Sequence, residues 1–297
     1  EGRHPTRTEL DEISSEKPVM IMHVSGHLIS CNTLCLAQGG ITAETQDPPG
    51  GIIRREAGSQ QPNGVLEETA RWLPLMKMPR PTPEQTRQAI INQQAVYASY
   101  GITTAQEGAT DQNTIKQLES MAADGQLSID IVAFPAIKKP EDFTADIKPS
   151  KTYNNGFRVG GIKMTLDGSP QGKTAWLSMP YHVAPHGMDD EYKGYAIFED
   201  ENVKTIVKQA FERGIQVIAH ANGDAAIDQI LDSAKTANTA LGNADRRTVI
   251  IHAQTARDDQ IDMMKAENVM PSYFVAHTFF WGDWHRDSVF GEARAKR

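Results

Sequence analysis

Val203-Lys204-Thr205-Ile206-Val207-Lys208-Gln209-Ala210-Phe211-Glu212-Arg213-Gly214-Ile215-Gln216-Val217-Ile218-Ala219-His220 is the stretch on which the fold of this 297-residue chain turns. Val203, Ile206, Val207, Ala210 and Phe211 recur at three and four residues, the spacing of one helical face, and Gly214 stands where a glycine ends a helix. Ile215 to His220 is a short apolar, β-branched run, which reads as a buried strand. A helix, a glycine and a strand in succession form part of a repeated βα pattern.

The same alternation continues on both sides. Strands are expected over Ile102–Gln106, Ile129–Phe134, Arg158–Thr165, Ile215–His220, Thr248–His252 and Val269–Phe274. Ile227, Ile230, Leu231 and Ala234 repeat the helical spacing. Thr82-Pro83-Glu84-Gln85 combines a capping threonine, a proline at the first helical position and a glutamine three residues on, so a helix runs from there to about Tyr100. Strand starts fall roughly 20 to 35 residues apart, one βα unit each, except before Ile215. An insertion over Gly168–Tyr195 fills that step and reads as a long loop of the kind that forms lids and binding surfaces. No GxGxxG and no GxxxxGK[ST] follows any strand, which disfavours the nucleotide-binding open sheets. The expected fold class is α/β: an incomplete (β/α)8 TIM barrel over residues 81–297. Residues 1–80, punctuated by turns at Asp47-Pro48-Pro49-Gly50-Gly51 and Gln61-Pro62-Asn63-Gly64, form an irregular, β-containing insertion region packed on it. With outer units missing, the barrel leaves two bare strand edges, which residues 1–80 or a second copy of the chain should cover.

Acidic residues number 38 and basic residues 30, for a net charge of −8, and no stretch gathers lysine and arginine onto one face. That composition disfavours nucleic-acid and anionic-membrane partners. No apolar run is long enough to span a bilayer, and the start is not signal-like. Cys31 and Cys35 imply neither a disulfide framework nor a zinc finger and read as small apolar residues, so a reducing, cytoplasmic setting is expected. The first residue is Glu1 rather than Met, which suggests a piece of a longer protein whose own start is unseen.

Three residues lie at or near the C-terminal end of an expected strand, where barrel enzymes place their chemistry: Lys163, His220 and His252. A histidine there can ligate a metal through its neutral imidazole, or be a buried histidine hydrogen-bonded to backbone. Lys163 sits among apolar neighbours, where an unpartnered ammonium costs several kcal/mol, so it must be paired, neutral or chemically modified.

Gly161-Ile162-Lys163-Met164-Thr165-Leu166-Asp167-Gly168-Ser169 with Thr174-Ala175, Ala219-His220-Ala221-Asn222-Gly223-Asp224, and Ile251-His252-Ala253-Gln254 together resemble the metal-dependent amidohydrolase superfamily, in its branch of YtcJ-like hydrolases and N-substituted formamide deformylases. The resemblance extends upstream through His23-Val24-Ser25-Gly26-His27 with Asn32, through Asp47 to Gly51, through Pro62 to Glu68 and through Gly101-Ile102-Thr103-Thr104, and covers nearly the whole chain. It implies a distorted barrel holding one or two divalent metals, usually zinc. In it Lys163 matches the lysine that becomes carboxylated and bridges the metals, and His220 and His252 match ligands on the next two strands. The implied reaction is hydrolysis of non-peptide C–N bonds in amides or formamides by activated water. The chain departs from the pattern in three places. His4, His23, His27, His182, His186, His220, His252, His277 and His285 include no His-x-His pair, the last-strand aspartate has no match, and Ile251 stands where a glutamate is usual. With those ligands missing, the fragment alone is expected to be inactive and to hold metal poorly.

His27, Trp176 and His277 are candidate substrate-binding residues, against the plainer readings of hydrogen bonding, docking on the domain and interface packing. Trp281, Trp284 and His285 join His277 as a possible rim. Asp224 either orients a ligand or caps the helix beginning there. Met263 and Met264 read as core. Alternatives to the hydrolase are a Schiff-base aldolase using Lys163 and a non-catalytic regulatory or binding protein on a hydrolase scaffold. The partner is a small amide-type molecule, with a homodimer possible.

Overall fold

The computed structural model describes residues 3–296. Its first part holds α1 (Arg7–Ile13), β1 (Met20–Met22), β2 (Leu28–Cys31), α2 (Thr33–Gln38), β3 (Gly51–Arg55), β4 (Pro62–Glu68) and α3 (Trp72–Leu75). The four strands form one antiparallel sheet in the order β1-β2-β4-β3. The region read as irregular but β-containing thus carries a four-stranded sheet. Its strands are short and separated by Pro- and Gly-rich turns, so little alternation is visible in any one of them. Its core is Ile29, Cys31, Cys35, Leu36, Ile41, Ile53, Leu66 and Ala70. Cys31 and Cys35 are joined there as a disulfide, which corrects their reading as separate apolar residues: Asn32 caps α2 between them, and the turn into the helix brings the two Cα atoms to 5.3 Å.

The second part runs α4 (Pro83–Ser99), β5 (Thr104–Thr110), α5 (Gln112–Ala123), β6 (Asp130–Pro135), β7 (Phe157–Val159), β8 (Gly161–Thr165), α6 (Asp200–Glu212), β9 (Gln216–Ala221), α7 (Asp224–Leu241), β10 (Thr248–His252), α8 (Asp258–Ala266), β11 (Val269–Tyr273), α9 (Ala276–Trp284) and α10 (Glu292–Ala295). Thr82 and Gln85 cap α4 reciprocally, as the motif implies. All the strands of this part pair in parallel, β5-β6-β7 in one sheet and β8-β9-β10-β11 in another.

The run Arg158–Thr165 is two strands, not one. At Gly160 the backbone passes so close to β6 that a Cβ would lie 2.6 Å from the Phe134 ring and 2.7 Å from Val132. The chain crosses there from β6 to β9, and a bridge between Ala136 and Lys163, with the Ile137 N–H donating to the Lys163 carbonyl, links the two sheets. Among the described residues β5 and β11 each pair with one strand only, and the strands of residues 1–80 pair among themselves. Among the described residues that region pairs with neither edge strand, so of the two covers expected a second copy of the chain is the one left.

The two faces of the β8–β11 sheet differ. Ile162, Met164, Val217, Ala219, Ala221 and Ile250 pack against Val203, Ile206 and Val207 of α6 and Ile227, Ile230 and Leu231 of α7. Each such buried aliphatic is worth roughly 1.5–3 kcal/mol over its exposed state. Met264 lies in this core and Met263 packs on it. The opposite face gathers Val132, Phe134 and Ile218 with Val249 and Ile251. Strand alternation puts Lys163, in register with Ile218, and His220, in register with Ile251, on that second face.

Residues 168–195, expected as a long loop, contain neither helix nor strand. The loop is tied to the C-terminal segment by Trp284 Nε1 donating to the Gln171 carbonyl and by the N–H groups of His182 and Val183 donating to Val289 and Ser288. No helix among the described residues is long and apolar enough to cross a membrane.

Candidate active site

His252 closes β10 and would by alternation share the helix-facing side with Ile250. Its backbone instead takes φ +75°, followed by φ +47° at Ala253. Left-handed dihedrals are uncommon outside glycine and cost of order 1–3 kcal/mol. Rotating φ by about half a turn swings the Cβ to the other face, and the His252 ring comes to 4.8 Å from the His220 ring, edge to face. Lys163 is near enough that its charge disfavours protonation of both rings.

His220 is buried, and its Nε2 lies 3.0 Å from the Gly168 carbonyl, to which Asn222 Nδ2 also donates at 2.9 Å. A carbonyl only accepts, so Nε2 carries the proton and Nδ1 keeps its lone pair. Burial, then the nearby His27 and Lys163, hold the His220 pKa well below its usual value. Burial, then His220 and Lys163, lower that of His252 to about 3. Both rings are neutral at pH 7, and His252 Nδ1 has no hydrogen-bond partner. Burial pulls the Lys163 pKa down to about 7 against the opposing charge of Asp167. No hydrogen bond or ion pair within 4 Å reaches its amine among the described residues.

Two carboxylates of the site escaped sequence reasoning. Asp167, fully buried, accepts from the backbone N–H groups of Asn222, Gly223 and Trp176 at 3.0, 2.7 and 3.0 Å and stands 3.4 Å from His220 Nε2. Burial raises its pKa to about 6 although those N–H bonds oppose the shift. It ties the turns after β8 and β9 together. Glu68, at the end of β4, accepts from His27 Nδ1 at 2.8 Å. Both residues lie inside motifs quoted above, and that position was the only available signal.

The His27 ring lies 4.9 Å from the His220 ring at a tilt of 50°, which brings a residue from the antiparallel-sheet region to the cluster. His277 follows His252 at 5.9 Å and His285 follows His277 at 5.9 Å, so five imidazoles form a row. Trp176 is outside the row and packs, partly buried, on the helix-side core. Asp224 is the first residue of α7 rather than its cap, which is Gly223, and it accepts from Ser178 and Arg257.

The donor chemistry suits a divalent cation in part. Two neutral imidazoles, each with a bare nitrogen, face an unpaired lysine amine, the kind of set that borderline metals accept once the amine has lost its proton or been carboxylated. No group of three or more His, Cys, Asp or Glu among the described residues is arranged to hold a metal by itself.

The model of the amidohydrolase family matches residues 1–297. This chain belongs to that family. The YtcJ protein of Bacillus subtilis (strain 168) is 27% identical over 288 residues, covering 93% of this chain and 51% of that protein. Protein LONG AFTER FAR-RED 3 of Arabidopsis thaliana is 28% identical over 264 residues, covering 85% and 44%. The N-substituted formamide deformylase of Arthrobacter pascens is 41% identical over 70 residues, 24% of this chain and 13% of that one. The crystal structure of an uncharacterized metal-dependent hydrolase from Pyrococcus horikoshii OT3 superposes with a TM-score of 0.67 at 26% identity, covering 97% of this chain and 55% of that one. The chain spans about half the length of the curated relatives it matches.

Proposed function

We propose that this chain is part of a metal-dependent hydrolase of non-peptide C–N bonds in amides or formamides. The approach of Lys163 in β8, His220 near the end of β9 and His252 at the end of β10, three adjacent parallel strands, supports the reading, because His252 turns toward His220 through a left-handed backbone. Lys163, His220 and His252 would hold the cation, zinc by the softness of the set, with Lys163 carboxylated. Such a cation supplies Lewis acidity toward the substrate carbonyl and lowers the pKa of water. The Gly168 carbonyl fixes the tautomer that leaves His220 Nδ1 free, and Asp167 fixes the turn that carries Gly168 and Asn222. A lowered amine pKa favours carboxylation, since only the neutral amine attacks carbon dioxide, releasing one proton. On this reading residues 81–297 are part of a (β/α)8 barrel, residues 1–80 a region packed on it, and His27 and His277 face the substrate.

The 297-residue chain alone is expected to bind metal below one equivalent and to show no turnover, while the full-length protein binds metal and hydrolyses formamides or aryl amides. Elemental analysis and a substrate panel on both, with His220→Ala in the longer protein, test this. Turnover that survives His220→Ala would sink the assignment. Borohydride trapping of a substrate on Lys163 would replace it with Schiff-base chemistry.

A further inference from the structure

Trp72 opens α3 and is 40% exposed. The guanidinium carbon of Arg71 lies 4.8 Å from its ring centroid and Lys138 Nζ 5.1 Å, both within reach of a cation–π attraction. Arg71 follows β4 and Lys138 follows β6, so the fold brings the two cations to one indole from separate parts of the chain. Neither has a carboxylate oxygen within 4 Å among the described residues, and Arg71 Nε is buried without a hydrogen-bond partner. The Asp142 carboxylate accepts from the backbone N–H groups of Lys138 and Lys139, not from the Lys138 amine. Like charges held against one ring repel each other, and only an anion or solvent between them offsets this. The chain has 38 acidic residues and a net charge of −8, yet no side chain supplies that anion.

Both cations adjoin the histidine row. Glu68, bonded to His27, stands three residues before Arg71, and its charge acts on the guanidinium against the burial that lowers the Arg71 pKa. Lys138 directly follows Ile137, whose N–H donates to the Lys163 carbonyl. Met76, whose N–H donates to the Trp72 carbonyl one turn back, is 64% exposed and extends the apolar surface of the indole. We propose that Arg71, Trp72 and Lys138 form a subsite for a carboxylate carried on an aromatic or apolar body. The guanidinium fork matches a carboxylate in two hydrogen bonds, the ammonium adds a point charge, and the indole with Met76 takes the body. Resting here on the hydrolase reading, the substrate is an amide that bears a carboxylate remote from the bond to be cleaved.

The probes are phenylacetate and its neutral counterpart phenylacetamide. In NMR titrations of the 297-residue chain at low salt, the indole N–H signal of Trp72, assigned by its loss in Trp72→Phe, should shift with phenylacetate and saturate in the millimolar range, and phenylacetamide should bind several-fold more weakly. Lys138→Gln, at an exposed position, and Arg71→Gln should each weaken phenylacetate binding by about threefold and leave phenylacetamide unchanged, and added salt should act as they do. In the full-length enzyme kcat/KM for para-formamidophenylacetate should exceed that for para-formamidophenylacetamide by about tenfold, and Lys138→Gln should remove most of the preference. Equal binding of the two probes, or a phenylacetate affinity unmoved by Lys138→Gln, overturns the proposal. If the full-length enzyme hydrolyses neither amide, the hydrolase reading fails, while the titration still decides the subsite.

Discussion

A single dihedral at His252 decides whether its imidazole faces helices or other histidines, and nothing in Ile250-Ile251-His252-Ala253 announces a left-handed residue. The types of Lys163, His220 and His252 were legible because a polar residue inside or closing an apolar run is conspicuous. Glu68 and Asp167 were not, because each is buried by a partner far along the chain, His27 in one case and the Asn222–Gly223 turn in the other. Lys163 offers the sharpest residue-scale test. Its amine is buried and unpaired, so in metal-free protein Lys163→Met exchanges a desolvated amine for an apolar chain of similar length. We expect unfolding stability in urea to rise by about 1–3 kcal/mol, with loss of whatever metal the parent retains. A fall in stability would mean that the amine has a stabilising partner.

At the scale of elements, the βα order was readable wherever apolar spacing was strong, as in α6 and α7, whose stripes face the main core. It failed at Arg158–Thr165, because periodicity cannot register that the chain changes neighbours part-way along one apolar run. Gly160 is the pivot, and its reason is spatial: the Phe134 ring occupies the place of a side chain. Gly160→Val should therefore cost about 1–3 kcal/mol by overpacking, read as a lower midpoint in thermal or urea unfolding. Gly282 in α9 is the contrast, with nothing within 4 Å of its would-be Cβ and no positive φ. Gly282→Ala should be neutral or stabilising by up to about 1 kcal/mol, as helix propensity dictates. Equal losses at both positions would refute the crossing as the cause.

Across the whole molecule, the two parallel sheets end on strands with one neighbour each, and apolar side chains crowd both edges. Beside β11, Tyr273 and Phe274 are 50% exposed, Val275 83%, Phe279 85% and Phe280 68%; before β5, Tyr100 is 80% and Ile102 39% exposed. Exposed aromatics next to open backbone hydrogen-bonding groups are the usual template for further pairing. The antiparallel sheet does not serve, since its strands pair among themselves and its free end delivers His27 and Glu68 to the histidine row. The 297-residue chain should therefore self-associate through these edges. Light scattering across a concentration series should show mass above 32.7 kDa, falling toward it in a Phe279→Glu, Phe280→Glu double variant. A full-length protein that covers the same edges should not respond to that double change by altering its mass. A strictly monomeric 297-residue chain at all concentrations would show that isolated edges of this composition are tolerated, and would remove the homodimer from the reading.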